Sequence, residues 1–194
     1  MLPEIYLCSA SPRRQELLKL TGIDFQVRPL KDMDEDALVS GYNGDVVKLA
    51  EFLALEKSKL AEREMSSGIF ITADTIVVSD DGLVLGKPRS DHEAETFLDR
   101  LSGNWHTVAT GVVISESASG RIMKHLEITR VKFAQMTPEE IEWYISTGEP
   151  FDKAGGYGIQ GRASIFIERI DGCYFNVVGF PLHSFWQMWK GFIA

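Results

Sequence analysis

The chain has 194 residues, 44% of them hydrophobic and 25% charged, with a formal net charge of −8 and a sequence pI near 5.0. Those proportions suit one globular domain with a substantial core. The acidic balance argues against a surface built to hold a polynucleotide, which needs clustered cations to displace counterions, but leaves room for a small anion met by a local cationic pocket or by carboxylate-bound metal.

The opening stretch MLPEIYLCSASPRR is too short in apolar residues for a signal peptide, and no segment reaches membrane-spanning length before a charge interrupts it. A soluble, cytoplasmic protein without a membrane partner is the expectation. Cys8 and Cys173 are far apart and have neither metal-ligand spacing nor a disulfide framework, so two reduced thiols are expected.

In chain order, Ile5 to Ser9 is predicted as a short buried strand. Ser11 and Pro12 follow as helix cap and first helical residue, opening a helix to about Leu20. The acidic stretch KDMDEDAL and the turn GYNGD lead into a longer helix from about Asp45 to Met65, with an apolar stripe of Val46, Leu49, Ala50, Leu53 and Leu60. Ile69 to Val78 is a β-rich run closed by the turn signal Asp81-Gly82, with LVLG returning. A helix over Asp91 to Leu101 comes next, then strands over Trp105 to Ile114 and Arg121 to Phe133. Thr137 caps the helix TPEEIEWYI and has capping-box spacing to Glu140. Gly148 to Gly161 is glycine-rich and polar, after which SIFIERI and CYFNVV alternate like a final hairpin before an aromatic terminal helix. Strands that partly alternate with helices and partly pair as hairpins predict an α/β domain with a mixed sheet.

Two charges fall where apolar residues belong. Asp74 lies among Ile, Val, Ala and Thr in the Ile69 to Val78 run, where a carboxylate is costly unless paired, hydrogen-bonded or metal-bound. A catalytic group and a strand-end carboxylate that caps a loop or pairs with a lysine are both open for it. Lys57 continues the spacing Val46, Ala50, Leu53, Leu60 on its helix, so its ammonium must snorkel or meet an anion. The segment SASPRR puts Ser9, Ser11, Arg13 and Arg14 beside free N–H groups at a helix start, a cradle for an anion, although solvated surface arginines fit the same pattern. Lys87 in LGKPRS offers a point charge from a turn, where lysines are often inert. Gly156, Gly158 and Gly161 match a dinucleotide fingerprint in form only, since strand-like sequence follows them and no helix opens there. They are better placed to let the backbone approach a ligand, with Asp152, Lys153 and Gln160 as polar neighbours.

The stretches LCSASPRRQELL, DMDED, LALEKSKLA, TADTIVVSDDGLVLGKP, LSGNWHTVATGV, YISTGEPFDKAGGYGIQG and NVVGFPL together resemble the Maf family, also described as septum-formation inhibitor proteins, over essentially the whole chain. The resemblance implies a single domain over residues 1–194. Its expected fold is α/β, a mixed, strongly twisted sheet flanked by helices, with two lobes around a cleft as in inosine triphosphate pyrophosphatases. It implies a hydrolase that cuts a nucleoside triphosphate between its α- and β-phosphates, with Mg²⁺ or Mn²⁺ as cofactor. Position by position, it makes Asp74 the catalytic carboxylate, as proton acceptor or as metal ligand, and Glu35 its partner at the metal. Ser9, Arg14, Lys57 and Lys87 match the residues that hold the triphosphate.

Three positions look diagnostic of the base, and here they are Arg13, Thr75 and Gln160, the pattern of the dTTP/UTP subgroup. A glutamine amide both donates and accepts, which suits N3–H and O4 of uracil or thymine. Cys8, Thr72, Cys173 and Phe180 depart from the usual family residues, and none of them is assigned to catalysis. The competing enzyme class is an inosine or xanthosine triphosphatase, separated by assaying ITP beside dTTP. A non-catalytic nucleotide-binding division regulator is the other alternative, and the retained Glu35, Lys57, Asp74 and Lys87 speak against it. The resemblance also implies a homodimer, with Phe185, Trp186 and Trp189 of the terminal helix open to a role in the core or at an interface.

Overall fold

A computed structural model of the protein describes residues 3–31 and 33–194; Asp32 of the acidic stretch lies outside the described residues. The strands form one mixed sheet in the order β2 (Gln26–Val27), β1 (Ile5–Leu7), β3 (Ile69–Ser79), β5 (Trp105–Glu116), β6 (Arg121–Phe133), β7 (Ile167–Asp171), with β4 (Val84–Leu85) paired to β3. The chain divides into two compact units, Met1–Asp74 with Thr110–Glu127 and Gly179–Ala194, and Thr75–Ala109 with Ile128–Val178.

In the first unit, β1 (Ile5–Leu7) pairs in parallel with β2 (Gln26–Val27) on one side and with the start of β3 (Ile69–Ser79) on the other, with Leu7 opposite Val27 and Ile71. The Cys8 N–H carries the β1 to β3 pairing one residue further, donating to Ile71 O at 2.9 Å. Helix α1 (Pro12–Lys19) opens as the sequence predicts: Ser11 is extended, its hydroxyl accepts from the Arg14 N–H, and Pro12 occupies the first turn. Leu17 and Leu18 are its buried face. The acidic stretch forms a short helix, α2 (Glu35–Gly41), capped by Asp34. Its carboxylates complement the positive end of the helix dipole.

The predicted helix from Asp45 is split. Asp45 caps a 3-10 turn over Val46–Lys48, and α3 (Leu49–Glu64) begins only after it. Close approach fixes α3 to its sheet. A Cβ on Gly111, in β5 (Trp105–Glu116), would fall 2.4 Å from Ala50 O and 2.5 Å from Glu51 Cα, so only glycine lets the helix backbone settle there. Two buried hydroxyls add to the anchorage: Thr72 donates to Ala54 O at 2.8 Å, and Ser58 donates to Ser115 at 2.8 Å. Thr72, a departure from the family pattern, thus satisfies a helix carbonyl instead of leaving a buried hydroxyl unpaired. Cys8 packs with Ala61 and Phe70, and burial pushes its thiol pKa up to about 12, which keeps it protonated. Both cysteines are free.

In the second unit, the end of β3 turns back into β4 (Val84–Leu85), with Val77 opposite Leu85, through the predicted Asp81-Gly82 turn. Helix α4 (Asp91–Leu101) and helix α5 (Pro138–Ser146) cover a core that includes Leu98, Leu101, Val131, Phe133, Tyr144 and Phe166. The capping box of Thr137 and Glu140 on α5 is present in both directions. β6 (Arg121–Phe133) pairs antiparallel with β7 (Ile167–Asp171).

The predicted final hairpin is corrected. SIFIERI gives a 3-10 segment over Arg162–Phe166 before β7, and CYFNVV is not a strand but helix α6 (Tyr174–Val178). β7 pairs with β6 on one edge and ends the sheet, and Gly172 at φ +126° breaks the extended path after it. The Cys173 N–H donates to the Thr129 hydroxyl at 3.0 Å, and buried Asn176 donates to Val108 O and to Thr129 Oγ1, each at 3.0 Å. An inward amide with those partners outweighs a two-residue alternation. The aromatic terminal helix is α7 (Leu182–Ile193), in the first unit, with Phe185 and Trp189 buried and Trp186 exposed. No helix among the described residues is long and apolar enough to cross a membrane.

Candidate active site

Within the first unit, the two misplaced charges meet. Lys57 lies on α3 and Asp74 on β3; the ammonium donates to Asp74 Oδ1 and lies 2.7 Å from Glu35 Oε1 at the start of α2. The Lys57 and Asp74 side chains are only 15% and 12% exposed, whereas Glu35 is 54% exposed. Lys57 therefore finds an anion instead of snorkelling, and Asp74 gains the partner that its burial demands. Both are held from below: the Gly111 contact and the Thr72 hydroxyl set the height of α3 over the strand.

The SASPRR turn stands beside this cluster. Ser9, buried at the end of the β1 run, accepts from the Ser11 N–H at 3.2 Å and from Arg14 Nη1 at 3.5 Å. Arg14 also donates through Nη1 to Ala73 O at 2.8 Å and through Nε to Gly179 O at 2.9 Å. Its guanidinium thus grips the main chain one residue before Asp74, a role the anion-cradle expectation did not include. Burial lowers the Arg14 pKa, while the Asp74 and Glu35 carboxylates raise it; a guanidinium keeps its proton in such surroundings. Arg13, next on the helix, is partly buried.

The remaining predicted residues lie in the second unit. Thr75 follows Asp74 on β3 and is partly buried, while Lys87 is exposed just past β4. The strand end before Lys87 is tied to the glycine-rich loop, since Gly155 N–H donates to Gly86 O at 2.9 Å. Gln160 is exposed, at the tip of a turn closed by the Gly161 N–H donating to Gly158 O at 3.0 Å.

Three residues with no sequence signal support this loop. His106 is buried and makes a 2.7 Å hydrogen bond through Nε2 to the Tyr157 hydroxyl. Burial pushes the His106 pKa down to about 3, so the ring is neutral at ordinary pH, and burial raises the Tyr157 pKa. Glu149 accepts from the Tyr144 hydroxyl at 3.0 Å and from the Arg162 N–H at 2.9 Å. His106 and Tyr157 are 51 residues apart, and Glu149 joins a hydroxyl five residues back to an N–H thirteen residues ahead, links that no residue pattern announces.

For a divalent cation, two carboxylates that converge on one ammonium fit the hard-oxygen preference of Mg²⁺ or Mn²⁺, ions that combine one or two carboxylates with phosphate and water oxygens. No group of three or more His, Cys, Asp or Glu residues among the described residues forms a closed protein cage. The donor set suits a metal that arrives with an anionic ligand.

The α/β chain with its mixed sheet thus carries an ammonium between two carboxylates beside a hydroxyl- and arginine-lined helix start, an arrangement chemically able to meet a small, highly charged ligand. A family model described as Maf-like protein matches residues 4–192, and the chain belongs to the Maf family. It is 46% identical over 183 residues to a protein of Syntrophomonas wolfei named dTTP/UTP pyrophosphatase, covering 94% of each chain. Proteins of the same name from Carboxydothermus hydrogenoformans and Symbiobacterium thermophilum are 45% and 47% identical, covering 92% and 96% of this chain and 93% of each relative.

Proposed function

We propose that this protein is a nucleoside triphosphate pyrophosphatase that hydrolyses dTTP and UTP to the monophosphate and pyrophosphate. The names of its relatives support that activity, and the observation that carries it is the Lys57 ammonium held between Asp74 and Glu35. Attack of water on the α-phosphorus forms one P–O bond, breaks the bond to the bridging oxygen, and releases pyrophosphate; one water proton must leave. Asp74 is the group assigned to that proton, either by accepting it or by holding the cation that acidifies the water. Lys57 holds Asp74 aimed before substrate arrives, and its ammonium can then turn to phosphate oxygens. A bound Mg²⁺ or Mn²⁺ on Asp74 and Glu35 would supply charge to the phosphates and lower the pKa of a bound water.

Ser9, Arg14 and Lys87 are assigned to the triphosphate, and Arg13, Thr75 and Gln160 to the pyrimidine. Arg14 also locks the strand at Ala73 O, so its loss should disturb Asp74 as well as the phosphates. On this reading residues 1–194 work as a single domain, in the cytoplasm, as a homodimer, with a house-cleaning role linked to cell-division arrest. The test is a panel of dTTP, UTP, CTP, GTP and ITP with Mg²⁺ or Mn²⁺, with products resolved by chromatography. Monophosphate and pyrophosphate from dTTP and UTP, lost in Asp74→Asn, are expected. Diphosphate with phosphate as products, or a preference for ITP, would sink the reading.

A further inference from the structure

The turn that presents Gln160 is held by one carboxylate outside the assigned site. Gly158 to Gly161 closes on itself through the Gly161 N–H to Gly158 O bond, and Ile159 within it is 8% exposed while Gln160 faces solvent. Glu149 lies against the inner side of this turn. A Cβ on Gly161 would fall 2.0 Å from Glu149 Oε1, so glycine at 161 is what admits the carboxylate. One carboxylate oxygen accepts from the Arg162 N–H at 2.9 Å, at the residue that leaves the turn, and the other accepts from Tyr144 at 3.0 Å. Tyr144 is fully buried on α5, so this second bond ties the turn to a rigid helix. Glu149 is itself fixed: its N–H donates to Thr147 Oγ1 at 3.2 Å, and its carbonyl accepts from Lys153 Nζ at 2.9 Å. Lys153 in turn pairs with Asp152 and packs where a Cβ on Gly158 would stand, 2.6 Å from its Cε.

We infer that Glu149 is a positioning residue for base selection, setting the place from which Gln160 offers its amide to the nucleobase. The inference rests on the assignment of Gln160 to the base. Hydrogen-bond readout depends on where donor and acceptor stand, so a turn held in one place favours one base and a loosened turn tolerates several. The two glycines are then there to let a carboxylate and a lysine stem buttress the turn, which accounts for their spacing without a dinucleotide site.

The test measures kcat and KM for UTP and GTP, together with Tm, in the full-length protein and in Glu149→Ala, Glu149→Gln, Gln160→Ala and the double variant Glu149→Ala/Gln160→Ala. Glu149→Ala should lower the UTP-to-GTP ratio of kcat/KM about tenfold, mainly through KM for UTP, as the loss of one well-placed base contact does. Glu149→Gln should restore the ratio, because the amide oxygen can accept from Arg162 while the Tyr144 hydroxyl turns to accept from the amide NH₂. The double variant should match Gln160→Ala alone. If Gln160→Ala shifts the ratio while Glu149→Ala lowers Tm and slows both substrates equally, Glu149 only supports the fold and the inference is overturned. If Gln160→Ala leaves the ratio intact, the base assignment of Gln160 fails and takes the inference with it. Should Glu149→Ala not fold, Glu149→Asp, too short to reach both donors, carries the same comparison.

Discussion

In the first unit, the side chains assigned to the triphosphate are held by charge: Lys57 lies between Asp74 and Glu35, and Arg14 grips main-chain carbonyls beside them. In the second unit, Gln160, one of the three residues assigned to the base, is held by the shape of its loop. Gln160 sits on a glycine turn braced by Glu149, and Tyr157 of the same loop bonds to the buried His106 of β5. Paired charges near phosphates serve chemistry, because they can be exchanged for the charges of a substrate. A braced turn serves selection, because it does not move when one base replaces another. Disturbing the first region should therefore change rate and stability together, whereas disturbing the second should change discrimination.

The largest effect is expected at Asp74. Asp74→Asn should reduce kcat for dTTP by about a hundredfold to ten-thousandfold, the range for a lost general base, measured as pyrophosphate release at saturating substrate. A mutant retaining half the activity would remove Asp74 from the chemistry. Lys57→Met comes next: leaving the buried Asp74 carboxylate without its partner should cost about 3 kcal/mol in urea denaturation. Adding Asp74→Asn to it should recover much of that loss. Glu35→Gln should cost far less, since that carboxylate is half in water. Equal losses for Lys57→Met and Glu35→Gln would show that burial does not distinguish the two carboxylates.

The third prediction belongs to the second unit. His106 has a folded pKa of about 3 against an ordinary value of 6.5. Between those values the unfolded chain binds more protons, so stability is complete above pH 6.5 and declines as pH falls toward 3. From pH 7 to pH 5 the loss from this one group should be about 2 kcal/mol. His106→Gln should flatten that slope, and an unchanged slope would mean that other groups set the acid response. The smallest effect is on selection: Gln160→Glu should lower kcat/KM for dTTP and UTP about tenfold with little change in Tm. Unaltered rates for both substrates would end the account of base choice by the amide.

The same contrast explains what is legible in the sequence. Asp74 and Lys57 stand out because each breaks an apolar period, and a broken period is visible without coordinates. The Ser11 cap and the Thr137 box are equally local, since capping joins residues three apart. Glu149 breaks no pattern: its partners are a hydroxyl on the preceding helix and an N–H thirteen residues ahead, and only the folded chain brings them together. CYFNVV reads as a strand yet folds as a helix for a related reason. Its alternation over six residues is outweighed by the tertiary partners of Asn176, Val108 O and Thr129, which lie 68 and 47 residues away.

Gly111 sets how the first region can move. Because the main chain of α3 rests directly on this glycine, no side-chain rearrangement between them can let the helix ride up or down. The freedom left to Lys57 is torsion about its own four-carbon stem, which burial and two ion pairs restrain relative to an exposed side chain. On the proposed reading, passage of its ammonium from carboxylates to phosphate is therefore a swivel on a fixed mount, with no movement of the helix.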